Sequence, residues 1–135
     1  MKHKTPIQIR FKDIDALGHV NNANHLSYLE MARIHYFEAV VGKNINWSED
    51  GIILAKVTID YKMPMMLVDK VFVYTKCSRV GTKSFDLEYT IIKEEGGKEI
   101  ILATAATVMV CFDYKTQTSI PIKEEWKKLM LDYEK

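Results

Sequence analysis

Ala23-Asn24-His25-Leu26-Ser27-Tyr28-Leu29-Glu30-Met31-Ala32-Arg33-Ile34-His35-Tyr36-Phe37-Glu38-Ala39-Val40-Val41 runs without proline or glycine as far as Gly42. The run predicts one helix, and Gly42 is a natural stop for it. Leu26, Leu29, Arg33, Phe37 and Val40 share a stripe, and Tyr28, Met31, Ala32 and Ala39 add apolar surface elsewhere. A helix apolar around so much of its circumference calls for structure wrapped about it, not one surface beneath it. At 1.5 Å per residue it spans roughly 28 Å, enough to run along a sheet.

The material for wrapping follows it. Beyond a polar connection, Asn44 to Gly51, come four strand-like runs: Ile52–Lys62, Val68–Arg79, Lys83–Lys93 and Glu99–Phe112. Met63-Pro64, Val80-Gly81-Thr82 and Glu94-Glu95-Gly96-Gly97 mark the turns, and the last two fit hairpins. Ahead of the helix, Thr5 to Phe11 alternates, with Ile7, Ile9 and Phe11 on one face, as a strand does. Pro121 precedes a short amphipathic helix, Lys123 to Tyr133. Strands that follow one another after a single helix argue α+β rather than parallel α/β. The predicted fold is therefore a five-stranded antiparallel sheet curled around one long central helix, with a short C-terminal helix, as one domain over residues 1–135. Small residues from Ala103 to Thr107 let a helix or a partner approach the last strand closely.

Bulk properties exclude several function classes. The 19 Lys and Arg nearly balance the 18 Asp and Glu, and no basic stripe points to nucleic acid. No apolar run approaches the ~20 residues of a membrane span, and the basic start Met1-Lys2-His3-Lys4 leads into alternating residues, not the apolar block of a secretory signal. Cys77 and Cys111 lie far apart in strand-like stretches, which reads as reduced, buried thiols in a cytoplasmic protein. No Cys/His spacing suggests zinc, and no metal or other cofactor is expected.

Chemistry concentrates just before the helix. Phe11 to His25 holds two carboxylates, a glycine, two imidazoles and three carboxamides. It feeds a helix N-terminus, where unpaired amides and a positive dipole end gather. An aspartate near its ordinary pKa of ~3.9 is ionised at neutral pH, so Asp15 can act as a base on water or as a nucleophile. Amides at the helix start, from Gly18 through His19, Val20 and Asn22, can meet a developing oxyanion, and Gly18 permits close backbone approach. Asp13 reads as a loop hydrogen-bonding residue, and His19 as a brace for the loop or an orienter of water. Asn21, Asn22 and Asn24 suit helix capping, with Asn22 the choice for a side chain that touches substrate or water. His25, on the first helical turn, can line a pocket. Glu30 and Arg33, at i and i+3, read as an ion pair. Tyr61, Met63, Met65, Met66 and Leu67 suit either a flexible apolar pocket or core packing. No nucleophile elbow supports a serine hydrolase.

The run Asp13-x-Asp15-x-x-Gly18-His19-Val20-Asn21-Asn22, followed by Leu26, Tyr28-Leu29-Glu30 and Arg33, resembles the hot-dog-fold acyl-CoA thioesterases of the 4-hydroxybenzoyl-CoA thioesterase type, and the predicted order of elements resembles that fold. His25 stands where such sequences often carry a tyrosine. The resemblance implies that Asp15 is the catalytic carboxylate and that amides near the helix start bind the thioester oxygen. It further implies a site at the interface of a homodimer or homotetramer whose sheets join edge to edge. CoA would enter as part of the substrate, an acyl-CoA. Relatives bind it near the strand equivalent to Lys83–Lys93, so Arg79, Thr82, Lys83 and Ser84 are candidates to meet its phosphates, the alternative being a solvated turn. An acyl-carrier-protein thioesterase and a non-catalytic acyl-CoA-binding module are the competing readings.

Overall fold

The computed structural model describes residues 1–135. In chain order the elements are β1 His3–Ile7, a 3-10 turn Phe11–Asp13, α1 Asn24–Val40, β2 Gly51–Tyr61, β3 Lys70–Val80, β4 Ser84–Glu95, β5 Lys98–Asp113, β6 Thr118–Ser119 and α2 Glu124–Tyr133. The strands pair antiparallel in the order β1-β3-β4-β5-β2, and β6 adds to β5. Gly96 and Gly97, at φ +59° and +76°, make the β4–β5 hairpin turn. Two positive φ values in a row are the type I′ geometry that matches strand twist. Irregular register at Leu54/Lys56, Cys77/Arg79 and Ile91/Ile92 bends the sheet about α1.

The predicted hot-dog architecture is present, with three departures. β6 is an additional two-residue strand, formed where the chain turns back through Gln117 at φ +57°. β1 stops at Ile7, four residues short of the predicted end. Its partner strand starts at Lys70 and Ile7 already faces Val71, so nothing remains to pair with Phe11, which is 83% exposed. The third departure concerns α1. Tyr28, Leu29, Ala32, Tyr36, Phe37 and Val40 enter the core, but Leu26, Met31 and Ile34 stay exposed. One chain wraps the helix on one side only.

Core residues from β3, β4 and β5, among them Val73, Phe85, Leu87, Ile91 and Leu102, pack against that buried side. α2 closes the cluster with Trp126 and Met130. Its end is locked by Glu134, whose Oε2 accepts from the Tyr36 hydroxyl and the Cys77 amide, both at 2.7 Å. Cys77 and Cys111 are both free and buried. β2 is left as an edge strand eleven residues long, with Ile53 and Leu54 exposed on it. No helix is long and apolar enough to cross a membrane.

Candidate active site

The loop before α1 closes on itself. Asp15 N–H donates to the His19 carbonyl at 2.8 Å, Gly18 N–H donates to the Asp15 carbonyl at 3.0 Å, and Ile14 bridges Val20. Gly18 sits at φ +81°, a conformation that favours glycine. The Asp15 carboxylate accepts the Leu17 amide at 2.9 Å through Oδ1, an Asx turn.

The two aspartates divide. Asp13 is 2% exposed, and its Oδ2 takes the Tyr28 hydroxyl at 2.7 Å and the Arg10 amide at 3.1 Å. The Arg10 guanidinium reaches Oδ1 at 3.3 Å. Burial opposes ionisation, but these donors, led by Tyr28, outweigh it and hold the carboxyl below the usual range. The Asp13 carbonyl also accepts the Asn21 amide and the Asn24 carboxamide. Asp13 is thus the anchor of the loop, while Asp15 is half-buried and bound only to its own turn.

Asp15, His19, Val20, Asn22, His25 and Tyr61 line one cleft of ≈ 290 Å³, closed on its far side by Lys62, Met63, Pro64 and Met65 from the β2–β3 connection. Gly18 shapes the turn behind it. Two hydrogen bonds grip the loop from the end of β2 and that connection: the Tyr61 hydroxyl to the Asn22 carbonyl and Val20 N–H to the Met65 carbonyl, each 2.8 Å. Between those grips the Asn22 amide makes no hydrogen bond within the protein. His25 is 2% exposed, its ring meets Tyr61 edge-on at 4.9 Å, and its Nδ1 has no hydrogen-bond partner. Burial lowers its pKa, only partly offset by the Asn21 and Asn22 carbonyls, so the imidazole is neutral at pH 7.

Two local expectations change. None of the three asparagines caps the helix: Asn21 accepts the Ala23 amide at 2.9 Å in an Asx turn just before it. Asn24 is drawn instead to Asp13, and Ala23 occupies the N-cap with no side-chain oxygen to offer. Glu30 and Arg33 do not pair: Arg33 donates to the buried Tyr89 hydroxyl at 3.2 Å, which in turn shares a hydrogen with Thr107. Both ends of that expected pair face a second cleft, of ≈ 380 Å³, between α1 and β2.

The Arg79 cluster lies elsewhere on the chain. Tyr61 pairs with Ala103 and Ser84 with Val110, so along β5 the β3–β4 turn is roughly 23 Å from the cleft. Arg79 is committed locally, with Nε and Nη2 on Asp86 at 2.8 and 2.9 Å and Nη2 also on Ser84 Oγ at 2.9 Å. Asp86 stands across the hairpin at the register shift, a contact the linear sequence does not advertise. Thr82 lends its carbonyl to the Ile122 amide, and Lys83 its carbonyl to Cys111. Leu17, 79% exposed at the mouth of the cleft, was not among the expected site residues; its neighbourhood to Asp15 is the signal that pointed to it.

Comparison with known proteins identifies the family. The chain is 28% identical to the long-chain acyl-CoA thioesterase FadM of Escherichia coli K12, over 93% of this chain and 94% of that protein. It is 24% identical to the acyl-CoA thioester hydrolase YbgC of Escherichia coli O157:H7, over 80% of each. Among solved structures, a thioesterase from Thermus thermophilus complexed with coenzyme A and zinc superposes at a TM-score of 0.79 with 32% identity, covering 94% of this chain and 95% of that one. Residues 9–129 match the thioesterase-like superfamily. The chain belongs to the thioesterase-like superfamily and is a thioester hydrolase.

Proposed function

We propose that the protein hydrolyses acyl-CoA to a carboxylic acid and CoA, with Asp15 as its catalytic carboxylate and the Asn22 amide as an oxyanion donor. One observation carries the reading: Asp15, a half-buried carboxylate, and Asn22, whose amide has no protein partner, line one cleft at the start of α1. Asp15 takes a proton from water as the water oxygen bonds to the thioester carbon. The carbonyl oxygen gains charge against the Asn22 amide. Collapse expels CoA as thiolate, which takes the proton, and the acyl group leaves as the acid. In the alternative course the carboxylate attacks first and water then opens the mixed anhydride. One good oxyanion donor is worth about 3–4 kcal/mol in the transition state. His19, Asn22 and His25 line the same cleft as Asp15.

The CoA substrate class is favoured over a carrier protein by the coenzyme A bound to the Thermus relative. The free β2 edge supports a homodimer, since the outer edge of an eleven-residue strand with exposed Ile53 and Leu54 is otherwise a template for aggregation. Antiparallel pairing about the middle of β2 would bring the partner's β3–β4 turn level with the cleft, three strand spacings or about 14 Å away. Arg79, Thr82, Lys83 and Ser84 would then meet the CoA phosphates across the interface. Asp15→Asn tests the core of the reading: a thiol-release assay on an acyl-CoA panel should show turnover reduced at least a hundredfold with an unchanged melting temperature. Near-wild-type turnover in that variant would remove Asp15 from the mechanism.

A further inference from the structure

We infer that Tyr61 is a positioning residue: its hydroxyl holds the Asn22 segment that presents the oxyanion amide, and so ties the catalytic loop to edge strand β2. This rests on the acyl-CoA hydrolase reading above.

The start of α1 is held weakly by its own hydrogen bonds. The His25 amide reaches the Asn22 carbonyl only at 3.4 Å, and the Leu26 amide reaches Ala23 at 3.3 Å. Ala23 at the N-cap supplies no side-chain acceptor. The Asn22 carbonyl is therefore poorly fixed from within the helix, and its short contact is the 2.8 Å bond from Tyr61 Oη. Backbone torsions at Asn22 set both where that carbonyl points and where its amide points. A donor aimed at the carbonyl thus constrains the amide as well.

Tyr61 is itself well anchored. It closes β2 opposite Ala103, and the next two amides, Lys62 and Met63, both donate to the Leu102 carbonyl at 2.8 and 3.1 Å. Its ring meets the buried His25 edge-on. The ring position thus depends on packing and strand register, while the hydroxyl alone makes the link to Asn22. Together with the Val20–Met65 bond, the end of β2 and the connection after it grip the loop at residues 22 and 20. The consequence is that the geometry of an edge strand is transmitted to the reacting centre.

The test is Tyr61→Phe, measured beside wild type and Asp15→Asn with one acyl-CoA. The hydroxyl contributes one neutral hydrogen bond, so the expected result is a kcat lowered roughly tenfold. KM should stay within about twofold, and the pH at which kcat/KM inflects should not move. The melting temperature should hold, because Tyr61 is 45% exposed. In a proton–nitrogen correlation spectrum the Asn22 amide should shift and exchange faster. Tyr61→Ala, lacking the ring as well, should lower kcat further. Unchanged kcat in Tyr61→Phe would overturn the proposal, as would a raised KM at constant kcat, which marks a substrate contact. A kcat loss that follows a fallen melting temperature marks plain destabilisation and overturns it too. Wild type with no turnover on any acyl-CoA removes the hydrolase reading and this proposal with it. Active wild type, inactive Asp15→Asn and unaffected Tyr61→Phe remove this proposal alone.

Discussion

Tyr28→Phe isolates the bond that anchors the loop before α1. The substitution keeps the ring in the core and deletes only the hydroxyl that donates to Asp13 Oδ2 at 2.7 Å. Asp13 is 2% exposed, so water cannot replace the lost donor without opening the loop. A hydrogen bond to a charged group contributes about 1.5–3 kcal/mol. For a chain of 135 residues the entropy of unfolding is roughly 0.28 kcal/mol/K, which converts that loss to about 5–11 °C in melting temperature. The effect carries a pH signature. The folded pKa of Asp13 is lowered, so its contribution is fully present above the unfolded value near 3.9 and is lost as pH falls through the folded value. Differential scanning calorimetry of both proteins from pH 7 to pH 2.5 should show a gap that is constant above about pH 5 and narrows in acid. On an Asp13→Asn background the same substitution should cost less, since no charge is left to stabilise. A gap below 1 °C at pH 7, or one that persists unchanged at low pH, would refute the assignment of Asp13 as an ionised anchor.

Three further outcomes are expected. Glu134→Ala leaves the buried Tyr36 hydroxyl and the Cys77 amide without their acceptor, at about 1–3 kcal/mol each, and hydrogen exchange should report it first in α2; unchanged protection there would count against the lock. Burial pushes both thiols up to about 11, leaving roughly one in a thousand ionised at pH 8, so an aromatic disulfide reagent should react slowly with native protein and at once after unfolding; prompt reaction of native protein would contradict the burial. Leu54→Lys and Ile53→Lys should each shift the sedimentation-equilibrium mass from dimer toward monomer, and a wild-type protein that is already monomeric would dispose of edge pairing.

Much of the fold was legible because its signals are local. The Gly96-Gly97 pair announced a hairpin, and the proline-free run to Gly42 bounded α1 within a residue or two. The site was legible for a related reason: Asp15, His19, Val20, Asn22 and His25 lie within eleven residues, and a tight loop cannot separate them far. What sequence reading missed depends on distant chain. Glu30 and Arg33 have good helical spacing, but Tyr89, on another element, offers Arg33 a better-placed acceptor at 3.2 Å. Three asparagines looked like equivalent caps until Asp13 claimed Asn24 and the Ala23 amide took Asn21. The apolar pattern of the helix called for a complete wrap, yet the curvature of a sheet with three register shifts covers one side of it.

The Asx turn at Asp15 has a consequence for the timing of order. With Oδ1 occupied by the Leu17 amide at 2.9 Å, the carboxylate keeps one oxygen for water and cannot swing freely between rotamers. The torsional freedom of that side chain is removed when the loop folds, long before any substrate arrives. In the hydrolysis proposed above, each turnover would begin with the Asp15 carboxylate already aimed, leaving little disorder to lose on the way to the transition state. On that proposal the free oxygen would also define one side from which water comes, and the thioester would offer its carbonyl carbon to that side. A turn of three residues would thereby select the face of attack.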